Sequence, residues 1–235
     1  MIAVILIKSQ TPENIGFIAR SMANFDLNKL VLVAPECNHL EEGAKKTSKH
    51  AKNILEDAEI REYTYFYDLE LKKDYDLVIG TTSVIGSDYN IRRTPLSLED
   101  FTEKIDQKKK IAVVFGHSGT GLNNDEVKKC DFLVTIPSSK NYPALNISHA
   151  AAIVFYEIFK KIGKEKINSH INPASVKDRE IIMEKLSNIL NNLEFQTEEK
   201  KQTQLITWKR IFEQSMMSKR EAFAVLGLLS KLEKD

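Results

Sequence analysis

Short, continuous apolar runs alternate with amphipathic stretches over roughly the first two thirds of the chain. The runs are apolar at every position rather than at every second one, which is typical of strands that are covered on both faces. They predict five buried strands, at 3–7, 30–34, 77–80, 111–115 and 132–136. Because the strands alternate with helices, we predict an α/β fold with a mainly parallel sheet.

Three stretches in the same part of the chain have helical periodicity. Residues 14–25 place apolar side chains on one face, and Thr11 and Pro12 before them are a typical helix start. Residues 41–55 carry Glu–Lys pairs four positions apart, which stabilise a helix. Residues 147–162 predict a long and mostly apolar helix.

The pattern changes after residue 163, where a polar segment up to residue 173 predicts a linker. Beyond it no strand pattern is present, and three apolar stripes predict helices. The stripes are Ile182, Leu186, Ile189 and Leu193; Leu205, Trp208, Ile211 and Phe212; and Ala222, Val225, Leu226, Leu229 and Leu232. We therefore predict a first domain at 1–163 and a small C-terminal helical extension at 164–235.

Composition narrows the possible classes of protein. The 235 residues are 42% hydrophobic and 29% charged, as in folded globular proteins, and the formal net charge is +1. Any nucleic-acid contact must therefore come from local basic patches. Two cysteines exclude a disulfide scaffold. His117, His149 and His170 show no metal-ligand spacing, and Cys37 and His39 form only a weak pair, so we expect no metal. The N-terminal apolar run is too short for a signal sequence or a membrane span, so we expect a cytoplasmic protein without a membrane contact.

Polar loops follow the predicted strands at 9–16, 80–83, 115–122 and 137–146. Ligands of open α/β sheets bind at the carboxyl ends of the strands, so these loops are the candidate site. The loop at 115–122 contains three glycines, but their spacing is neither the dinucleotide fingerprint nor a P-loop. A glycine turn that serves only the backbone is the alternative.

Part of the same loop, from Gly116 to Gly119, is similar to the nucleophile elbow of serine hydrolases. In that interpretation Ser118 is the nucleophile, and His149 or His170 is the base. The elbow needs a glycine at the next position, where this chain has Thr120, so a hydrolase is disfavoured.

Four polar residues elsewhere have simple structural alternatives. Asn14 at a helix start is usually a cap, and Arg20 on an amphipathic helix is usually solvated. Asn146 and Ser148 could simply begin the helix that follows them. Taken singly, none of these four residues indicates catalysis.

Taken together, however, three short motifs stand in a fixed order along residues 1 to about 160. They are Asn14-x-Gly16-x-x-x-Arg20, then Val114-Phe115-Gly116 with Gly119-x-Gly121-Leu122, then Leu145-Asn146-Ile147-Ser148. In order and separation they resemble the motifs of the SpoU/TrmH (SPOUT) family of RNA 2′-O-ribose methyltransferases. Residues 80–83, 92–96 and 199–232 are similar to the TrmJ subfamily, whose members methylate the ribose of nucleotide thirty-two in the tRNA anticodon loop.

This resemblance implies an α/β domain with a C-terminal trefoil knot, an exception to the rule that chains avoid knots. It also implies that S-adenosyl-L-methionine binds in the knot, mostly to backbone groups. The matching positions for the cofactor are Thr81, Thr82, Ser83, Gly116, Ile136, Pro143, Ala144, Leu145 and Asn146. The implied catalytic residues are Asn14, Arg20, Asn146 and Ser148.

The resemblance further implies a homodimer whose active site is completed across the interface, with the helix at 147–162 as the dimer face. Arg20 is the family's candidate base, although it could instead hold the target phosphate and stabilise the developing alkoxide. The candidate RNA-binding residues are Lys45, Lys46, Lys49, Arg92, Arg93, Lys209 and Arg210.

One departure from the family pattern bears on activity. The family usually has Glu where this chain has Ser118, and often Arg where it has His117. The predicted function is a tRNA 2′-O-methyltransferase. A catalytically weakened RNA- or cofactor-binding member of the family, and a methyltransferase that acts on another RNA such as rRNA, stay open as alternatives.

Overall fold

The computed structural model describes residues 1–64, 70–84, 94–106, 108–163 and 171–233. The chain forms two compact units, Met1–Lys164 and Glu165–Asp235. No helix among the described residues is both long enough and apolar enough to cross a membrane.

The first unit is built on a parallel sheet, which confirms the predicted fold class. Its strands are β1 (Ile2–Ile7), β2 (Lys29–Val33), β3 (Glu59–Arg61), β4 (Leu77–Thr81), β5 (Leu96–Ser97), β6 (Ile111–Phe115) and β7 (Phe132–Thr135). Their order across the sheet is β3-β2-β1-β6-β4-β7-β5, and every pair is parallel. In the middle of the sheet Val4 of β1 lies between Leu30 and Val113. The predicted trefoil knot stays a prediction.

Helices cover both faces of this sheet. In the part of the unit that the structure describes they are α1 (Pro12–Asn24), α2 (Glu42–Ser48), α3 (Lys52–Glu56), α4 (Glu70–Asp74), α5 (Leu98–Glu103), α6 (Asn124–Lys129) and α7 (Ile147–Ile162). Alternate residues of β1 belong to two different core clusters: Val4 packs with residues of α1, α3, α5 and α7, whereas Ile5 packs with residues of α4 and α6. Burial on both faces explains why the strands are continuously apolar in sequence.

The five predicted strands are confirmed to within one residue at each end, and α1 and α7 are confirmed as helices. The single helix predicted at 41–55 is wrong. It is divided into α2 and α3 because Lys49 has a φ of 54°, in the left-handed region that ends a helix. The strands β3 and β5 were not predicted, since three residues and two residues respectively are too short for a periodic pattern.

Residues 171–233 of the second unit form three helices, α8 (Val176–Asn192), α9 (Glu198–Gln214) and α10 (Lys219–Leu232), which confirms the helical prediction. Side chains of Ser175, Thr197 and Ser218 cap their N-termini. The core of the unit is Ala174, Ile182, Leu186, Leu190, Phe212, Met217, Ala222 and Leu229. The predicted stripes are only partly buried, because Leu193, Trp208, Ile211 and Leu232 are exposed.

Candidate functional site

A cavity of about 640 Å³ opens at the carboxyl ends of β4, β6 and β7. Its walls come from the three loops that follow these strands, together with Asn14 of α1 and the first turns of α7. All nine predicted cofactor-binding residues line it: Thr81, Thr82, Ser83, Gly116, Ile136, Pro143, Ala144, Leu145 and Asn146. Of the predicted catalytic residues, Asn14 and Asn146 line it, whereas Arg20 and Ser148 do not.

The glycine-rich loop presents backbone to this cavity because it folds back on itself. The Gly121 N–H donates a hydrogen bond of 2.9 Å to the carbonyl oxygen of His117, and Gly119 and Gly121 have φ values of +95° and +68°. A Cβ atom on Gly116 would lie 2.4 Å from the Gly121 carbonyl carbon and from the Leu122 nitrogen. Only glycine fits at position 116, so this wall is fixed by close backbone contact.

The loop after β4 is fixed by hydrogen bonds to its neighbours in the sheet. The Thr81 hydroxyl donates to the Val114 carbonyl at 3.0 Å, and the Thr82 N–H donates to the Val134 carbonyl at 3.0 Å. The Thr82 hydroxyl accepts from the Val84 N–H at 3.1 Å. These bonds hold Thr81, Thr82 and Ser83 in place, so that one side of the cavity is lined by short polar side chains and backbone groups.

Asn146 and Ser148 have a structural role at the start of α7. The Asn146 Oδ1 accepts from the Ser148 N–H at 2.9 Å and from the Ser148 hydroxyl at 2.8 Å, so Asn146 is the N-cap of the helix. Ser148 is buried against this cap. Since no described residue accepts from the Asn146 Nδ2, that amide group stays available for a ligand in the cavity.

Helix α1 carries the other two predicted catalytic residues at different depths. Asn14 is half-buried and lines the cavity, whereas Arg20 is exposed. Six residues of α-helix separate the two positions by about 9 Å along the axis. Phe17, three residues before Arg20, is exposed as well. The cavity of this chain is therefore not lined by the Arg20 guanidinium.

A polar network that the sequence analysis missed connects the glycine-rich loop to the loops that follow β1 and β2. The His117 Nε2 lies 3.9 Å from the Glu36 Oε2, and the Gln10 Nε2 donates to the same oxygen at 2.9 Å. The Thr120 hydroxyl lies 3.2 Å from the His117 Nδ1. Glu36 follows β2, so the rule that loops at the carboxyl ends of strands meet at one edge could have pointed to it.

The hydrolase alternative has no support in this geometry. The Ser118 hydroxyl makes no hydrogen bond to a histidine in the described part of the chain, and the His117 ring lies against Thr120 instead. His149 is exposed on α7, and His170 lies outside the described residues. A serine nucleophile needs a base within hydrogen-bond reach.

Cys37 and His39 are both partly buried, and burial shifts the pKa of each side chain. Burial raises the pKa of the Cys37 thiol, and the nearby carboxylate of Glu41 raises it further. Burial lowers the pKa of His39. Both shifts favour neutral side chains, and no cluster of three or more His, Cys, Asp or Glu suited to a metal ion occurs among the described residues.

The predicted RNA-binding residues fall into three groups. Lys45 and Lys46 are exposed in the last turn of α2, and Lys49 is exposed directly after it. Lys209 and Arg210 are exposed on α9 of the second unit, where the Lys209 Nζ lies 3.8 Å from the Glu213 carboxylate. Arg92 and Arg93 lie outside the described residues.

Comparison with known proteins gives three concordant results. Residues 1–156 match the SpoU rRNA Methylase family. The chain is 35% identical over 231 residues to the tRNA (cytidine-2′-O-)-methyltransferase TrmJ of Methanocaldococcus jannaschii, covering 97% of both chains, and 29% identical to the TrmJ of Sulfolobus acidocaldarius, covering 98% of this chain and 93% of that one. The crystal structure of TrmJ from Z. mobilis ZM4 superposes with a TM-score of 0.68 at 27% identity, covering 99% of each chain.

Proposed function

The chain belongs to the SpoU rRNA methylase family, and from this membership we propose that it is a tRNA 2′-O-ribose methyltransferase that uses S-adenosylmethionine. The observation that carries the proposal is the similarity to TrmJ of M. jannaschii along 97% of both chains, through the candidate site and the helical extension alike. We propose further that the methylated ribose is that of nucleotide thirty-two in the anticodon loop.

The cavity fits S-adenosylmethionine in size and chemistry. Its volume of about 640 Å³ lies within the range of small-molecule sites. Leu122, Val134 and Ile136 offer an apolar surface for the adenine ring, and backbone groups at Thr82 and Gly116 can receive the polar parts. The cofactor supplies a methyl group that is activated by its bond to a sulfonium.

The protein residues then have to position and polarise the ribose hydroxyl. Because the methyl donor is already activated, most of the catalytic contribution is alignment of the 2′-oxygen with the methyl group. We assign Arg20 to the stabilisation of the developing alkoxide and the adjoining phosphate, through its planar set of N–H donors. Asn14 and the Asn146 Nδ2 orient the ribose from the cavity wall, and Ser148 fixes Asn146.

The exposure of Arg20 is consistent with a site that two copies of the chain complete. Helices α1 and α7 pack side by side, with the Phe25 ring 6.0 Å from the Tyr156 ring between centroids. Their outer faces leave Phe17 at 44%, Ile153 at 37% and Tyr156 at 50% exposed. We propose that this apolar face forms a two-fold dimer and that Arg20, beside Phe17, acts on the cavity of the partner.

Labelled S-adenosylmethionine and an anticodon stem–loop test the activity directly. The expected result is methyl transfer to an unmodified stem–loop and none to a matched stem–loop that carries a 2′-deoxy nucleotide at position thirty-two. Transfer to both would overturn the assigned nucleotide while keeping the enzyme class. Transfer to ribosomal RNA alone would replace tRNA as the substrate class.

A mixing experiment tests the composite site. Arg20→Ala removes the guanidinium, and Ala144→Trp fills the cavity from an exposed position. Each variant alone is expected to be inactive. A hybrid dimer contains one unblocked cavity, which faces the intact Arg20 of the other chain, so mixing should restore activity. Light scattering that finds dimers without restored activity would mean that Arg20 acts within its own chain.

A further inference from the structure

Tyr142 carries a large aromatic ring that is 81% exposed, compared with 44% for Phe17 and 50% for Tyr156. Within the described residues, its side chain makes no hydrogen bond and no ring contact. Aromatic rings normally stabilise a fold by burial. The exposure of this ring therefore has no explanation in the stability of the chain itself.

The backbone around Tyr142 is held in a tight turn. The Tyr142 N–H donates to the Ser139 carbonyl at 3.2 Å, and the Asn141 N–H donates to the Ser139 hydroxyl at 3.3 Å. The Ser138 hydroxyl donates to the Pro143 carbonyl at 3.1 Å, which closes the base of the turn. Pro143 restricts the backbone directly after Tyr142. Because the turn is already ordered, little conformational entropy is lost when a partner binds the ring.

The position of this turn connects it to the candidate site. Pro143, the next residue along the chain, is the first of five consecutive residues that line the cavity. Lys140 lies in the same turn and is exposed. The mouth of the cavity therefore carries an exposed aromatic ring close to a positive charge, a combination that fits an unpaired nucleotide with its flat base and its phosphate.

We propose that Tyr142 binds the RNA substrate by stacking on an unpaired base beside the methylated nucleotide, while Lys140 contacts a phosphate. This inference rests on the proposed function for the identity of the RNA. Paired RNA offers no free base face to the ring, so the contact requires a single-stranded loop. Tyr142 is then a residue that selects the type of RNA, and it takes no part in holding the cofactor.

Binding measurements on five proteins test this role, one of them Lys140→Ala, which is titrated at several salt concentrations. The other four are the unchanged chain, Tyr142→Ala, Tyr142→Phe, and Ile60→Ala as a control that trims an exposed apolar side chain on the edge strand β3. Each is titrated with an anticodon stem–loop, with a fully paired RNA of equal length, and with S-adenosylmethionine.

Tyr142→Ala should weaken stem–loop binding about tenfold, equal to about 1.4 kcal/mol. Tyr142→Phe and Ile60→Ala should bind within twofold of the unchanged chain, and cofactor affinity should not change. Lys140→Ala should reduce the slope of log affinity against log salt by about 0.7, the value for one contact to a single strand. Equal weakening for paired RNA, or loss of cofactor affinity in Tyr142→Ala, would overturn the proposal.

The same titrations separate this proposal from the proposed function. Normal stem–loop binding and methyl transfer by Tyr142→Ala would overturn the stacking contact and leave the methyltransferase assignment intact. Absence of methyl transfer by the unchanged chain, with stem–loop binding that still depends on Tyr142, would overturn the enzyme and keep the contact. If the unchanged chain binds no RNA, the contact is wrong whatever the activity.

Discussion

The cavity and the outer face of α1 are built from different kinds of groups. The cavity wall consists of backbone and short side chains that the sheet and the glycine-rich loop hold in place. The outer face of α1 offers one long, exposed cation, Arg20. If Arg20 acts as we propose, cofactor binding should depend on the shape of the cavity wall, whereas methyl transfer should depend in addition on a side chain that lies outside the cavity of its own chain.

The largest effect is expected from changing the shape of the cavity wall. Gly116→Val places a side chain 2.4 Å from backbone atoms that cannot move aside. We expect cofactor affinity to fall more than about 100-fold and the free energy of unfolding to fall by about 1–3 kcal/mol, as for other overpacked sites. Titration calorimetry and denaturant unfolding measure the two quantities.

The matched control for this variant is Gly227→Ala on α10, where an added Cβ meets no atom within 4 Å. Removing a glycine inside a helix should raise the free energy of unfolding by about 0.5–1 kcal/mol without changing cofactor affinity. If Gly116→Val bound the cofactor as well as the control does, the cavity wall would not be set by this close contact.

The second largest effect is expected on the outer face of α1, at Arg20. Arg20→Ala should slow methyl transfer more than about 100-fold, or about 2.7 kcal/mol in the barrier, with cofactor affinity unchanged within twofold. Arg20→Lys should stay slow, because a point ammonium does not replace a planar fork of donors. Single-turnover rates on tRNA provide the measurement.

Asn24→Ala, near the end of the same helix, serves as the control for Arg20 and should keep the rate of the unchanged chain. Retention of more than about a tenth of the turnover by Arg20→Ala, a barrier change below about 1.4 kcal/mol, would reduce Arg20 to a surface arginine. The sharp division between a binding cavity and a catalytic helix face would then be lost.

Asn146 lies between these extremes, since it both caps α7 and lines the cavity. Asn146→Ala should lower the free energy of unfolding by about 1 kcal/mol through loss of the cap. Asn146→Asp keeps the acceptor for Ser148 but loses the Nδ2 donor, so it should keep that stability and lose about tenfold in rate. Equal rates for Asn146→Asp and the unchanged chain would mean that Asn146 caps α7 but that its Nδ2 group has no role in methyl transfer.

The smallest effect is expected at Ser118, where the chain departs from the family pattern. Ser118→Glu should change the methyl-transfer rate by less than about threefold, a barrier change below about 0.7 kcal/mol. The physical reason is that Glu36, from the loop after β2, already places a carboxylate 3.9 Å from His117, the residue directly before Ser118. A rise of tenfold or more would show instead that the loop lacks a needed charge.

The elements that the sequence predicted well are those whose pattern is repeated over many residues. Five strands are recognisable because both faces are buried, and α7 because sixteen residues keep one period. The break at Lys49 depends on one backbone angle, and the contact of Glu36 with His117 joins residues 81 positions apart, which no local pattern encodes. Motif resemblance brought together the residues of the cavity, but it could not reveal that Arg20 stays exposed.

The order of the strands also has a consequence for how the chain acquires its site. The cavity joins residues from Asn14 to Val154, and β6 has to enter between β1 and β4 before its walls can meet. Parallel pairs between strands that are distant in sequence form slowly, because the chain loses the entropy of closing long loops before the stabilising contacts form. During synthesis the cavity therefore stays incomplete until nearly all of the α/β unit has left the ribosome. S-adenosylmethionine, bound only by the finished cavity, would lengthen the life of the folded state without speeding its formation.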